Sequence, residues 1–231
     1  MQRKTRIVRT GLLAVGAIAL CAGLALAGGH TWKINEAFSN ASGTIQFIEA
    51  KETGGGAGET ATAGHNITSN SKSFTITANV AAPASFKHLL FATPAFAALP
   101  GVPTPDYIFP AGSVPFFSTA GDTIRYVALD ATFVFGAGVM PTDGVHSLSR
   151  PGFTVGCNSP TNYAGVTATI NLGCALSGDV DNNASRNADD IAAFVRVKAN
   201  TLVGGENPAC AEYCTGSLAG DIAAFVNDLL M

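Results

Sequence analysis

Short apolar segments with a two-residue period dominate the sequence between residues 30 and 172. Trp32 and Ile34, for example, flank Lys33, so one face of the segment is apolar and the other polar, as in a β-strand. On this basis, strands are predicted at residues 32–34, 44–47, 74–77, 89–91, 107–109, 124–127, 133–135 and 166–170. Gly, Pro, Asn and Ser separate the segments, and one short helix is predicted among them, from Pro94 to Leu99. The pattern predicts a mainly β fold, either a sandwich or a barrel.

The beginning of the chain has the three-part layout of a secretory signal peptide. A basic start without acidic residues is followed by a largely apolar run and by the cleavage signal Ala25-Leu26-Ala27. We therefore expect residues 1–27 to be removed and the mature protein to be secreted or held at the surface of a bacterium. A retained membrane anchor is one alternative, because the apolar run approaches the length of a short span. A lipid anchor on Cys21 is another, although Leu20 is large where lipoprotein signals have a small residue.

The expected mature chain is acidic. Without residues 1–27 it keeps nine Lys and Arg residues against sixteen Asp and Glu residues, a formal net charge of −7. No cluster of basic residues remains along the sequence, and phosphate binding needs one. Nucleic acid is therefore not expected as a partner, and neither is a membrane once the signal is cleaved. About 204 residues suffice for one sizeable β domain and a small additional module.

Four cysteines remain in the mature chain: Cys157, Cys174, Cys210 and Cys214. An even number of cysteines in an exported protein predicts two disulfides. Three pairings are possible, and proximity in sequence favours 157–174 together with 210–214. A zinc site is the alternative, but neither a CxxC pair nor a nearby histidine supports it.

The sequence Asp-Ile-Ala-Ala-Phe-Val occurs twice, at residues 190–195 and 221–226. From Ile222 onwards, apolar residues recur at i+3, i+4, i+7 and i+8, which predicts an amphipathic helix. Neither helix can bury its apolar stripe alone, so we expect the two to pack on each other; docking of both onto the β domain is the alternative. Residues 175–231 are therefore predicted to form a separate C-terminal module after a β domain at residues 28–174.

An oxygen-rich loop immediately precedes the first of these helices. Counted from Asp179, positions 1, 3, 5, 7, 9 and 12 have the donors of an EF-hand-type calcium loop, with position 7 contributing its backbone carbonyl. The predicted ligands are Asp179, Asp181, Asn183, Ser185, Asn187 and Asp190. Two features depart from the EF-hand pattern: position 6 is Ala184 instead of Gly, and position 12 is Asp instead of Glu. The spacing indicates calcium, with an Asx-rich helix-capping turn as the alternative interpretation.

The calcium loop, the helix after it and the second copy together resemble a type I dockerin over residues 177–231. The resemblance implies that the six residues named above bind calcium. It also implies that the helix starts, residues 188–190 and 219–221, contact a cohesin domain of a scaffold or cell-surface protein. The second copy has lost nearly all ligand positions, two of which are Cys210 and Cys214. We therefore expect one Ca²⁺ ion, with a Cys210–Cys214 bridge holding the second turn.

The β region resembles lamin-tail-like domains over residues 30–152. The similarity lies in Trp32-Lys-Ile-Asn-Glu36, Gly43-Thr-Ile-Gln-Phe-Ile-Glu49, Phe74-Thr-Ile, Lys87-His-Leu-Leu-Phe-Ala92 and Asp143-Gly-Val-His-Ser-Leu-Ser-Arg150. This resemblance implies an immunoglobulin-like antiparallel β-sandwich.

Polar residues on or beside the first two strands are candidates for either a binding or a structural role. These residues are Asn35, Glu36 and Glu49, of which Asn35 and Glu36 are predicted to hydrogen-bond a neighbouring loop and to hold the hairpin, because buried polar groups must be satisfied. A ligand or cation site between the strands is the alternative. No catalytic motif accompanies the four histidines: there is no HExxH, and no Gly-x-Ser-x-Gly surrounds Ser147. No catalytic residue is therefore assigned.

These observations favour an exported, non-catalytic protein in which a binding or surface-structural β-sandwich precedes a calcium-stabilised, dockerin-like module. One alternative is a subunit of an extracellular assembly that docks onto a cohesin and binds polysaccharide through the sandwich. Another is an unrecognised secreted hydrolase, which requires a pocket joining His88 or His146 to an acid and a nucleophile.

Overall fold

The structure is a computed structural model that describes residues 30–126 and 132–231. The predicted signal peptide, residues 1–27, and the last residue of the strand predicted at 124–127 lie outside the described residues. Within them, the chain forms ten β-strands in two sheets and three α-helices, which confirms a mainly β fold. No helix in this part of the chain has both the length and the apolar character needed to cross a membrane.

The strands are antiparallel with one exception. They are β1 (Trp32–Ser39), β2 (Gln46–Glu52), β3 (Asn66–Thr68), β4 (Ser73–Thr75), β5 (His88–Ala92), β6 (Tyr107–Ile108), β7 (Asp122–Tyr126), β8 (Phe133–Phe135), β9 (His146–Ser149) and β10 (Thr154–Cys157). Six strands form one sheet in the order β10-β9-β1-β2-β5-β6, and four form the other in the order β4-β3-β7-β8. Among the strands that the structure describes, only β5 and β6 run parallel. Consecutive strands pair as β1–β2, β3–β4, β7–β8 and β9–β10, whereas β1–β9, β2–β5 and β3–β7 bring together strands that are far apart in the sequence.

The main hydrophobic core contains residues from both sheets. Trp32 and Ile34 of β1 are buried together with Ile124 and Phe133 of the smaller sheet. Lys33 alternates with the first two and remains exposed, which is the period predicted for this strand.

A register shift between Ile34 and Glu36 changes the face of the sheet to which the following side chains of β1 point. Beyond it, Phe38 pairs with Phe47, and both belong to a second apolar cluster. That cluster includes Phe96 of α1 (Pro94–Ala97), a helix somewhat shorter than predicted. The larger sheet is therefore covered by apolar side chains on both of its faces.

The strand predicted at residues 166–170 is not formed, and this part of the chain makes only an isolated bridge between Thr161 and Thr167. The end of the segment is fixed by the buried side chain of Asn158. Its amide group donates to the carbonyl of Ile170 at 2.6 Å, and its oxygen accepts the N–H of Ile170 at 2.9 Å. The prediction was wrong because one polar side chain makes the bonds that a neighbouring strand would make.

Both predicted C-terminal helices are present, as α2 (Asp189–Lys198) and α3 (Leu218–Leu229). Phe194 and Phe225 occupy the same position of the six-residue repeat, and their rings stack with centroids 4.1 Å apart. The helices therefore pack on each other, as expected, around a small core that includes Val180 and Ala211.

The disulfide pairing differs from the favoured one. Cys157 is bonded to Cys214 and Cys174 to Cys210, with Cα atoms 5.7 and 4.9 Å apart. The prediction of 157–174 and 210–214 was wrong because it considered only distance along the chain. The 3₁₀ turn at Pro208–Ala211 buries Cys210 in the small core, where Cys174 packs against it. Both bonds join the C-terminal segment to residues of or near the β region, and structural disulfides are typical of oxidising, extracellular environments.

Candidate cation site and helix groove

Three carboxylates converge at the start of α2. Asp179, Asp181 and Asp190 each offer an oxygen, and these atoms all lie within 4.8 Å of one another. Asp190 is 0% exposed and Asp179 only 5%. Burial raises the pKa of Asp181, and the charges of its two neighbours raise it further. Within the described residues, no basic side chain forms an ion pair with any of the three. The group can therefore hold a cation.

Backbone N–H groups of the loop fix the carboxylate of Asp190. One of its oxygens accepts from Val180 and Asp181 at 2.7 and 3.1 Å, and the other accepts from Asn187 at 2.9 Å. Asp190 lies in the first turn of α2, where a negative charge is stabilised by the helix dipole. The loop is therefore closed onto the beginning of the helix through a single side chain.

The loop uses two left-handed residues, Asn182 and Ala184, with φ angles of 60° and 67°. The resulting turn brings the N–H of Ala184 to 2.9 Å and that of Asn183 to 3.0 Å from the two oxygens of Asp179. Ala184 thus adopts the conformation that an EF-hand-type loop requires at its sixth position, although its Cβ makes this unfavourable by about 1–2 kcal/mol. The departure from glycine therefore does not prevent the turn.

The other three predicted ligands make local hydrogen bonds and are exposed. The side-chain amide of Asn183 donates to Asp181 at 2.8 Å, and its oxygen accepts the N–H of Ser185 at 2.8 Å. The side-chain oxygen of Asn187 accepts the N–H of Asp189 at 2.7 Å. These are the Asx-type turns of the alternative interpretation. The structure thus brings the three carboxylates among the six predicted ligands together, and Asn183 and Asn187 each contact one of them.

In the second copy of the repeat, a lysine lies among the equivalent carboxylates. Glu212 and Asp221 correspond to two of the three converging aspartates, being 31 residues further along the chain. The ammonium group of Lys198 lies 3.6 Å from Glu212 and 2.7 Å from Asp221. Burial raises the pKa of Asp221, but hydrogen bonds from Lys198 and Thr215 outweigh it and leave the pKa below its usual range. The second copy therefore contains a positive charge of its own.

Two further ligand positions of the second copy are cysteines. Cys210 and Cys214 stand at the first and fifth positions of the loop and are bonded to Cys174 and Cys157. Covalent bonds to the rest of the chain therefore hold the second turn, and the expected Cys210–Cys214 bridge is not formed.

The two C-terminal helices enclose an apolar groove of about 560 Å³. The Ile and Val of each repeat copy line it and stay exposed, at 49% and 59% in α2 and at 45% and 44% in α3. The Asp and Phe of each copy are buried instead. The exposed apolar residues of the groove are Ile191, Val195, Leu218, Ile222 and Val226. Equivalent residues therefore have equivalent environments, and the helices present one pseudo-symmetric apolar surface.

This surface was not predicted, because the apolar stripe of α3 was expected to be buried between the helices. Of that stripe, Phe225 is buried, whereas Ile222, Val226 and Leu230 are largely exposed. The sequence did contain an indication of this surface. Ile and Val recur in both copies of the repeat, at positions that are not buried where the two helices pack. Among the residues predicted to contact a partner, 188–189 and 219 are exposed, and the aspartates that end both ranges are buried.

The buried carboxylates of the larger sheet hold the loop that follows β10. Glu36 accepts from the hydroxyl of Ser147 at 2.6 Å and from the N–H and hydroxyl of Ser159 at 2.8 and 2.9 Å. Glu49 accepts the N–H of Thr161 at 2.8 Å. Burial raises the pKa of Glu36 to about 6, against the opposing effect of these hydrogen bonds. For Glu36, the arrangement is that of the predicted structural role.

The two histidines considered for catalysis each lie beside a carboxylate. His88 Nδ1 is 2.8 Å from Glu49, and His146 Nδ1 is 2.7 Å from Asp143. Ser147, which follows His146 in the sequence, donates its hydroxyl to Glu36 instead. Within the described residues, neither ring is hydrogen-bonded to a hydroxyl or a thiol.

Comparisons with protein-family models, curated proteins and solved structures give no match for this chain. Its function is therefore inferred from its residues and their geometry.

Proposed function

We propose that this is an exported, non-catalytic protein that attaches a β domain to a partner through a calcium-stabilised docking module. In this proposal, residues 28–174 form an immunoglobulin-like β-sandwich of the lamin-tail type, and residues 175–231 form a degenerate type I dockerin. The observation that carries it is the pseudo-symmetric helix pair, in which the Ile and Val of both repeat copies are exposed beside buried Asp and Phe. Contiguous apolar residues at a surface are typical of protein interaction sites.

Calcium is the cation proposed for Asp179, Asp181 and Asp190. Ca²⁺ prefers oxygen ligands in adaptable geometry, and three carboxylates with neutral amide and carbonyl oxygens match that preference. The exposed Asn183, Ser185 and Asn187 of the loop supply the additional oxygens. Neutralising the carboxylates favours the closed loop, and the closed loop fixes the start of α2, which is one wall of the groove.

A single ion per chain is proposed, since Lys198 already places a positive charge between the equivalent carboxylates of the second copy. Two disulfides also hold that turn, so it requires no metal to keep its shape. Calcium thus controls one half of the docking surface, and covalent bonds control the other half.

The proposed partner is a cohesin-type domain of a scaffold or cell-surface protein. The groove fits such a partner because its exposed lining is almost wholly apolar and is contributed equally by α2 and α3. The two disulfides support export, because structural disulfides are characteristic of proteins that function outside the cytosol.

Surface plasmon resonance of the full chain against immobilised type I cohesin domains, with and without calcium, tests this function. We expect calcium-dependent binding that Ile222→Asp weakens by at least about tenfold, because the new carboxylate would be desolvated in an apolar contact. Ala223→Asp is the matched control: it places the same charge at an exposed position of the same helix that does not line the groove. Absence of binding in calcium, or equal losses in both variants, would contradict the proposal.

A further inference from the structure

A cationic pocket lies on the β region, apart from the helix groove, and we infer that it binds a carboxylate-bearing sugar. Lys33, Lys51 and Arg150 line it, and its lining contains no acidic residue. Its volume of about 350 Å³ is within the range of small-ligand sites. Three of the nine basic residues of the expected mature chain thus meet in one place, in a protein with a net charge of −7.

Two of these cations face each other directly. Lys33 and Lys51 are Cα partners in the β1–β2 ladder, so their side chains project from the same face of the sheet. Like charges at directly opposite positions of an antiparallel pair are destabilising. Among the described residues, neither lysine has a carboxylate within ion-pair distance. A bound anion would remove this repulsion.

The acidic residues further along the same ladder are already engaged. Glu36 and Glu49 pair across β1 and β2, and they accept hydrogen bonds from the loop at residues 159–161. Glu49 also accepts the side-chain amide of Asn35 at 2.7 Å. These carboxylates serve the protein's own loop and leave the lysines available to a ligand.

An exposed aromatic ring forms part of the pocket. Phe86 is 62% exposed and has a φ angle of 55°, which a bulky side chain rarely adopts. Its N–H donates to the buried carboxylate of Glu52 at 2.8 Å, and the same carboxylate accepts the N–H groups of Gly54 and Gly55. Strained residues that persist in a fold concentrate at functional sites. The fold therefore maintains an exposed ring beside three cations.

Together these groups fit an acidic sugar. Its carboxylate suits the two lysines, its hydroxyl groups suit Asn35 and Thr53, and its apolar ring face suits Phe86. Arg150, whose guanidinium donates to the carbonyl of Thr132, adds positive charge to the wall of the pocket. A nucleic-acid backbone does not fit, because three cations on an acidic protein are too few to follow a chain of phosphates. The sugar can be a free uronic acid or a unit of an acidic polysaccharide. The inference is independent of the docking proposal, since no residue of the C-terminal helices takes part.

Isothermal titration calorimetry of the full chain with glucuronate, an oligoglucuronate, glucose and inorganic sulfate tests the inference. We expect the uronates to bind at least about tenfold more tightly than glucose, because only they offer a charged acceptor. Lys51→Gln and Phe86→Ala are expected to weaken that binding, the former by about tenfold. Lys72→Gln is the control, because it removes the same charge from a residue outside the pocket.

Tighter binding of the oligomer identifies a polysaccharide as the source of the carboxylate, and equal binding of monomer and oligomer identifies the free acid. Circular dichroism verifies that each variant is folded. Glucose binding as tight as glucuronate binding would overturn the inference, as would sulfate binding of equal strength. Equal effects of Lys51→Gln and Lys72→Gln would overturn it as well.

Discussion

At the scale of single residues, charge separates the two copies of the repeat. The first copy concentrates Asp179, Asp181 and Asp190 without a basic partner among the described residues. The second copy places the ammonium of Lys198 against Asp221. Two loops of common pattern therefore meet the same electrostatic requirement in different ways, one by the proposed ion and the other by a side chain.

Replacing Lys198 by Met tests the role of this side chain. Asp221 would remain buried without its counter-charge, so we expect the free energy of unfolding to fall by about 2 kcal/mol. The double variant Lys198→Met/Asp221→Asn is expected to recover most of the loss, and Lys72→Met is expected to be nearly neutral. Urea denaturation measures the free energy of unfolding of the wild-type protein and of the three variants. Wild-type stability in the single variant would show that the pair contributes nothing.

Glu36 gives the protein a specific pH dependence. Its pKa is raised from 4.5 to about 6 in the folded state. A raised pKa means that the folded state favours the protonated carboxyl, so the contribution of Glu36 is full below about pH 4.5 and is lost as the pH rises through 6. The difference corresponds to about 2 kcal/mol.

Unfolding in urea at several pH values measures this contribution. Between pH 4.5 and 7.5, we expect wild-type protein to lose about 2 kcal/mol more than Glu36→Gln, in which the ionisation is removed. All other titrating groups are common to both proteins and cancel in the comparison. Parallel curves for the two proteins are the outcome that contradicts the prediction.

At the scale of elements, burial divides each C-terminal helix into a packing face and an exposed apolar face. Phe225 is 3% exposed and stacks on Phe194, whereas the adjacent Val226 is 44% exposed. Phe225→Ala is therefore expected to destabilise the protein by about 3 kcal/mol, and Val226→Ala by less than about 1 kcal/mol. Thermal unfolding, followed by the circular dichroism of the helices, measures the loss of stability in both variants. Equal losses would mean that the two faces are not distinct.

Sequence periodicity predicted these elements better than it predicted their surroundings. The two helices and most strands were identified, because local residue patterns largely determine them. The exposed face of α3 was not predicted, because periodicity identifies an apolar stripe but does not show whether another element covers it. The strand expected at residues 166–170 does not form, because the side chain of Asn158 makes the hydrogen bonds to Ile170 that a neighbouring strand would make. Those bonds depend on the tertiary fold.

The candidate cation site was only partly readable for the same reason. Spacing identified the loop, and its three predicted carboxylate ligands converge. The local hydrogen bonds of Asn183 and Asn187 depend on side-chain orientation, which spacing does not determine. The cationic pocket gave no signal along the sequence, because Lys33, Lys51 and Arg150 are brought together only by strand pairing and a loop.

At the scale of the whole molecule, two disulfides tie the C-terminal segment to the rest of the chain. Cys157 ends β10, and its bond to Cys214 spans 57 residues of sequence. The orientation of the helix groove relative to the β region therefore depends on a covalent link as well as on packing.

The double variant Cys157→Ser/Cys214→Ser removes this bond and tests how much it stabilises the attachment of the C-terminal segment. We expect a loss of about 2–4 kcal/mol, because a cross-link across a long segment reduces the conformational freedom of the unfolded chain. Urea denaturation under non-reducing conditions compares the variant with wild-type protein. An unchanged midpoint would show that this bond adds no stability beyond that of packing and the Cys174–Cys210 bond.

The loop before α2 is proposed to bind one calcium ion, on which the order of the docking module depends. Isothermal titration calorimetry of the full chain with Ca²⁺ is expected to give a stoichiometry near one. Asp190→Asn is expected to abolish this binding, whereas Asp189→Asn, at an exposed neighbouring position outside the carboxylate group, should retain it. A titration without binding heat, a stoichiometry near two, or undiminished binding by Asp190→Asn would contradict the claim.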